Sequence, residues 1–258
     1  MSLVSLQVED DIGIITLERP EALNAISSSV ADSLREVLRE VGSRPDILVA
    51  VLTGAGDKAF CVGADLKERS SFEIDDWYSN RRQISGMFQA LRELPQPSIA
   101  AVFGWVLGGG FELALSCDLM VAAEGCRMGL PEAGVGLLPA GGGTLLLTRM
   151  VGVRRAKEIV FTRRPLDTSE AQDMGLVTRI APATELRSAA LELAAEICGS
   201  SPVVVREAKR LIETSGSETL ARALELENEA WARVIVTEDR ADGIAAFNDK
   251  RNPRWRNR

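Results

Sequence analysis

A chain of 258 residues, 46% of them hydrophobic, allows one large domain, or a domain with a smaller appendage, and a sizeable core. Its net charge of −7 argues against wholesale nucleic-acid binding, and the absence of histidine removes Ser-His-Asp and Cys-His catalysis, the HExxH zinc site and every histidine-ligated metal together. Acid–base chemistry must then come from Asp, Glu, Lys, Tyr or Cys, helped by backbone amides.

The opening segment "LVSLQVEDDIGIITLERP" alternates apolar and polar residues with a period of two, which predicts a hairpin turned around Glu9 to Asp11. It lacks the basic region followed by an apolar one that marks a secretory leader, and no apolar run reaches the roughly 18 residues of a membrane span. Cys61, Cys117, Cys126 and Cys198 form no CxxC pair, so reduced thiols in the cytoplasm are expected. Next, "SSSVADSLREVLREVG" puts Val30, Leu34, Val37, Leu38 and Val41 on one helical face, with serines at the start and Gly42 at the stop.

"ILVAVLTGAG" reads as a buried strand entering a glycine turn, and "AFCVGADLKE" as a short strand, a turn and a helix start. "SIAAVFGWVLGGGFEL" repeats that grammar as apolar strand, glycine-rich turn and short helix. "DLMVAAEGCRMGLPEAGVGLLPAGGG" adds two short apolar runs, and "TLLLTRMVG" opens a helix after glycines. These repeats predict an α/β core wound in successive strand–strand–helix turns. From Thr184 onward "ATELRSAALELAAEICG", "PVVVREAKRLIETSG" and "SETLARALELENEAWARVIVT" are all helical in period. The expected division is a core over residues 1–195 and a helical region over 196–258, with the boundary falling between Pro182 and Ser201. From Asn248 onward five basic residues (Lys250, Arg251, Arg254, Arg256, Arg258) against Asp249 give +4 locally, readable as a solvated tail or as a contact for a phosphate-bearing ligand.

"GAGDKA" (54–59) matches the G-x-G-x-x-A form of a dinucleotide-binding turn, but the next residues, "FCVGADL", are apolar and β-like where that motif must open a long helix. More telling is the pairing of "FCVGADLKE" with "LGGGFELAL". Each ends a strand with small residues and begins a helix, so each leaves a main-chain N–H free near a helix N-terminus. Two such amides aimed at one point make an oxyanion hole; without a ligand they are two close-packed turns. Glu112 falls in the first turn of the second helix and Glu132 follows Pro131, and both positions also suit ordinary helix-start roles. If the two carboxyls face one apolar cleft, burial and mutual repulsion raise at least one pKa and supply an acid and a base near neutrality.

Taken together, "ERPEALNA", "FCVGADLKE", "GWVLGGGFELALSCD", "GLPEAGVGLLPAGGG", "AQDMGLV" and the terminal "EDRADGIAAFNDKRNPRW" resemble the crotonase, or enoyl-CoA hydratase, superfamily, in that family's order. The resemblance implies a spiral of repeated ββα units with a C-terminal helical trimerisation region. It implies an acyl-CoA thioester substrate, assembly as a homotrimer or a dimer of trimers, and no metal or redox cofactor. The amides of Ala64 and Gly109 would hold the thioester oxygen. Leu23, Ala25, Asp65, Leu66, Lys67 and Gly108 would lie along CoA or substrate, and Phe247 and Lys250 would touch CoA, often from a neighbouring subunit.

Hydratases of the family keep both acids, so Glu112 would activate water for attack at C3 and Glu132 would exchange the proton at C2. Related dehydratases for a cationic or carboxylated acyl group need a matching pocket charge, for which Arg81, Arg82, Asp75 and Asp76 are candidates. An isomerase needs only one acid, and the RNA binding known in some relatives fits poorly with an acidic chain. The chain departs from the family at Leu145 and Leu146, where Gln-Arg is usual. Trp77, Tyr78, Met87 and Phe88, in the stretch that normally lines the acyl pocket, are expected to be mainly helix core.

Overall fold

The computed structural model describes residues 2–214 and 216–258. Strands β1 (Val4–Glu9) and β2 (Ile12–Leu17) pair antiparallel as expected, with Asp10 at φ 50° in the turn. Helix α1 (Ser28–Ser43) begins where the Ser27 hydroxyl accepts the Val30 N–H, which satisfies one orphan donor of the first turn. Val30, Leu34, Leu38 and Val41 are buried along it, while Val37 sits half-buried at the edge of the stripe.

The chain then winds through similar turns. β3 (Val49–Gly54) and β4 (Ala59–Cys61) lead to α2 (Leu66–Arg69) and α3 (Ile74–Arg92), and β5 (Ser98–Val102) and β6 (Trp105–Leu107) lead to α4 (Gly109–Ser116). β7 (Leu119–Ala123) and β8 (Arg127–Gly129) lead to α5 (Gly143–Val151) and α6 (Val153–Thr162), after which come β9 (Leu166–Asp167), α7 (Thr168–Asp173), β10 (Arg179–Ala181) and α8 (Leu186–Cys198). In the pairs β3/β4, β5/β6 and β7/β8 the first strand enters a sheet of order β1-β2-β3-β5-β7-β10 and the second a sheet of order β4-β6-β8-β9, while in the last pair β9 joins the second sheet and β10 the first. Pairing is parallel in both sheets apart from β1–β2 and β8–β9. Parallel strands covered on both faces need continuous apolar runs, which is why β5 is buried at every position.

"SIAAVFGWVL" is therefore two strands rather than one, and they belong to different sheets. The chain turns at Gly104, where φ is +56° and a Cβ would press on the Lys58 carbonyl, 2.7 Å from its carbon. Because the apolar run continues across the corner, no break in period marks it.

Helix α8 buries Leu186, Ala190, Leu193 and Ala194 against the six-stranded sheet, so a division after residue 195 falls inside this helix. Beyond it α9 (Pro202–Thr214), α10 (Leu220–Val234) and α11 (Glu238–Asp249) bury little of themselves and leave Leu220, Leu224, Trp231, Ile244 and Phe247 exposed. Lys209 on α9 ties this region to the core by donating to Asp118 (2.8 Å) and to the Gln96 carbonyl (3.0 Å).

The basic tail is folded back onto its own acids. Arg251 pairs with Asp242, Arg256 and Arg258 pair with Glu238, and the Arg256 and Asn257 amides donate to Asp239, which is 0% exposed and also receives the Ser201 hydroxyl. The local charge of +4 is thus largely answered within the chain.

Candidate active site

The three consecutive glycines each meet a different neighbour at close range. Gly108 caps α4 at φ 52°, ψ −127°, a conformation closed to side chains, and a Cβ there would stand 2.8 Å from Glu132 Oε1. A Cβ on Gly109 would lie 3.4 Å from Gly63 Cα and 3.8 Å from the Ala64 nitrogen, so the two glycine turns are in contact. At Gly110 a Cβ would run into the Cys61 carbonyl, 2.6 Å from its carbon, which seats α4 directly on β4.

Gly109 is the first residue of α4, and an N–H at that position has no carbonyl partner within the helix. Ala64 forms a parallel bridge with Ile26 in which Ile26 donates to Gly63 (2.7 Å) and Asp65 donates to Ile26 (3.0 Å). In that pattern the Ala64 N–H points away from the Ile26 strand. Both residues line one cavity of about 340 Å³.

Glu112 and Glu132 line the same cavity. Glu112 is 3% exposed in the first turn of α4, and its Oε1 accepts the amides of Gly141 and Gly143, each at 2.7 Å. Burial raises its pKa, while the two amides and then the Arg81 charge oppose the rise. Arg92 supports the loop that carries these amides by donating to the Gly141 carbonyl at 2.8 Å. Glu132 opens the 3₁₀ turn Glu132–Val135 behind Pro131. Burial, reinforced by the charge of Glu112, pushes its carboxyl up to about 7, and its Oε2 is buried without a protein donor.

Two walls complete the cavity. Helix α3 presents Trp77, Asn80, Arg81, Ile84 and Phe88 at helical spacing, and the segment after Glu132 presents Val135, Leu137 and Leu138. Met87 is core as expected and Phe88 is both buried and part of the wall; Trp77 lines the cavity and Tyr78 faces solvent, so neither is core.

Of the residues singled out in the sequence, Ala64, Leu66, Gly108, Gly109, Glu112 and Glu132 meet at this cavity. Leu23, Ala25, Asp65, Lys67, Phe247 and Lys250 do not line it. Asp65 is turned inward, where it caps α2 through the Lys67 and Glu68 amides and pairs with Arg19 at 3.1 Å. Ala25 is buried and gives its carbonyl to Arg19, and Leu23 sits at φ 52° in a loop pinned by the buried Asn24. Lys67 is exposed on α2, Phe247 is 84% exposed on α11 and Lys250 is exposed at that helix's end. Sequence reasoning missed Arg69 and the Gly141 and Gly143 amides, although the "PAGGG" run was a legible sign of close backbone approach.

Residues 7–258 match the family model described as enoyl-CoA hydratase/isomerase. The chain belongs to that family. It is 38% identical over 250 residues to the short-chain-enoyl-CoA hydratase of Clostridium acetobutylicum, covering 96% of this chain and 95% of that one. Among solved structures, it superposes on an enoyl-CoA hydratase of Bacillus anthracis with a TM-score of 0.97 at 37% identity, covering 99% of this chain and 100% of that one. An enoyl-CoA hydratase of Mycobacterium tuberculosis gives 0.91 at 32% identity with full coverage of both chains. The fold is thus the crotonase spiral that the repeated strand–strand–helix units suggested.

Proposed function

We propose that the protein is an enoyl-CoA hydratase that adds water reversibly across the 2,3 double bond of a 2-enoyl-CoA to give a 3-hydroxyacyl-CoA. The observation that carries this reading is the convergence of two carboxyls from separate elements, with Glu132 raised to about 7, on a cavity edged by the Ala64 and Gly109 amides. An isomerase requires only one such acid.

In this scheme the thioester oxygen takes hydrogen bonds from the Ala64 and Gly109 N–H groups, which stabilise the negative charge that builds there as C3 is attacked. The Gly141 and Gly143 amides hold Glu112 Oε1 in place, so its carboxylate is oriented to take a proton from water as the water oxygen bonds to C3. Glu132, poised near neutrality, delivers its proton to C2. The pair ends with its proton on Glu112 and returns to the starting form by exchange with solvent. No metal or redox cofactor enters these steps.

CoA itself extends from the cavity past Leu66 towards Lys67 and the Leu23–Ala25 loop. Phe247 and Lys250, outside the cavity of their own chain, serve that of a neighbour in a homotrimer or dimer of trimers. The exposed apolar residues of α10 and α11 support such an assembly. Four free thiols suit a cytoplasmic setting.

The test is loss of enoyl-thioester absorbance with crotonyl-CoA, with the 3-hydroxyacyl product identified by mass. Turnover indistinguishable from buffer across a panel of 2-enoyl-CoA thioesters would refute the reading.

A further inference from the structure

The cavity is not simply an apolar slot for a hydrocarbon chain. Besides the two carboxyls, the charged side chains on its wall are Arg69, at the end of α2, and Arg81, on α3. Arg92 stands behind the Gly141 carbonyl, and its charge is felt by Glu112. Among the described residues none of these three arginines lies within 4.0 Å of a carboxylate oxygen; Arg69 and Arg92 are half-buried, and Arg81 is open to solvent at the cavity's edge. Glu112 acts on all three at longer range but forms an ion pair with none, its Oε1 being engaged by two backbone amides. Glu132, titrating near 7, carries only part of a charge at neutrality.

Arg69 is held ready rather than left loose. Its Nη2 donates to Asn80 Oδ1 at 3.0 Å, its guanidinium lies 5.4 Å over the Trp77 ring, and its Nε is buried without an acceptor. Arg81 follows Asn80 on the same helix, and neither Arg82 nor Asp75 nor Asp76, the other charged candidates of this stretch, reaches the cavity. Seven residues, about 10 Å along the helix axis, separate Arg81 from Phe88, whose ring packs against Gly141 beside Glu112. Arg81 lines the cavity together with Glu112, and its charge acts on that carboxyl, so the two side chains share the space in which the acyl group is held. The opposite wall of Val135, Leu137 and Leu138 suits the intervening carbons.

Resting on the hydratase reading, we infer that the preferred acyl group is short and ends in a carboxylate, which Arg81 binds with Arg69 beside it. Guanidinium binds carboxylate through paired N–H donors, so the pairing discriminates by charge and by shape. The acid sits at the end of the acyl chain remote from the thioester, and the reacting C2 and C3 lie between it and the Ala64 and Gly109 amides.

The experiment compares kcat/KM for glutaconyl-CoA, a five-carbon 2-enoyl thioester with a terminal carboxylate, against crotonyl-CoA in the wild type, Arg81→Gln and Arg81→Glu. The wild type should favour the carboxylated substrate at least tenfold, and Arg81→Gln should reduce that ratio by roughly 10- to 100-fold. Arg81→Glu should in addition raise the rate with an enoyl-CoA carrying a quaternary ammonium at C4, a gain that a damaged fold cannot produce. A wild-type preference for crotonyl-CoA, or an unchanged substrate ratio in both variants, would overturn the inference and leave the hydratase reading standing. Absence of hydration with every thioester would instead defeat the hydratase reading.

Discussion

Gly110→Ala is the sharpest test of how the fold builds the site. The added Cβ meets the Cys61 carbonyl carbon at 2.6 Å and Cys61 Cβ at 2.8 Å, where carbon atoms ordinarily stand about 3.5–4.0 Å apart. The obstructing atoms are mainly backbone of β4, paired with β6, so no side chain can swing aside and α4 must move by roughly 1 Å. Overpacking of this kind costs about 3 kcal/mol, which for a chain of this size lowers Tm by about 6–12 °C at fixed protein concentration. The same displacement draws Gly109 away from Ala64 and shifts Glu112, and a misplacement of about 1 Å lowers kcat/KM about 100-fold. Differential scanning calorimetry and crotonyl-CoA kinetics read the two effects. Gly42→Ala is the control, because its Cβ meets only ordinary contacts at 3.6 Å near the end of α1 and should gain about 0.5–1 kcal/mol. A Gly110→Ala protein with wild-type Tm and activity would refute the claim that α4 is seated through this glycine.

Glu132 makes stability depend on pH. Its carboxyl stands at about 7 in the folded protein and near 4.5 when unfolded, so the folded state binds more protons between those values and stability falls as pH rises from about 4.5 to 7. Screening at the cavity mouth limits the loss to about 2 kcal/mol, and Tm measured against pH should decline less across this window in Glu132→Gln than in the wild type. Asp239→Ala would strand the Ser201 hydroxyl and the Arg256 and Asn257 amides, at a cost of about 2–4 kcal/mol in urea unfolding. Trp231→Asp on exposed α10 should lower the mass seen by light scattering from that of an oligomer towards that of a single chain, if α10 lies in the subunit interface.

Much of this arrangement was legible because local rules and global fold agree. The β1–β2 hairpin, the α1 stripe and the glycine turns that open α2 and α4 all derive from period and turn chemistry. Glu112 and Glu132 each lie in an otherwise apolar stretch, and burial there is the main cause that raises both pKa values. The corner at Gly104 was hidden because both strands it joins are buried and apolar. The pairing of the basic tail does not show in a local charge count, because Asp242 and Glu238 reach it from the start of α11. At Asp65 the turn motif gives the position but not the direction of the side chain, which is occupied by a helix cap and Arg19. Phe247 and Lys250 stand exposed and outside the cavity of their own chain, so nothing in the local pattern around that cavity points to them.

If the two carboxyls work as a pair, their shared proton must show in kcat/KM measured against pH in both directions. Hydration uses ionised Glu112 with protonated Glu132, and dehydration uses the reverse, so the two active forms carry the same single proton and the two profiles must share the same limbs. In the wild type the two profiles should be matching bells with the upper limb near pH 7. Glu112→Gln and Glu132→Gln should each lower kcat/KM by about 100- to 10,000-fold and lose one limb. A variant that retains wild-type rate, or a wild-type profile flat between pH 5 and 9, would contradict that pairing.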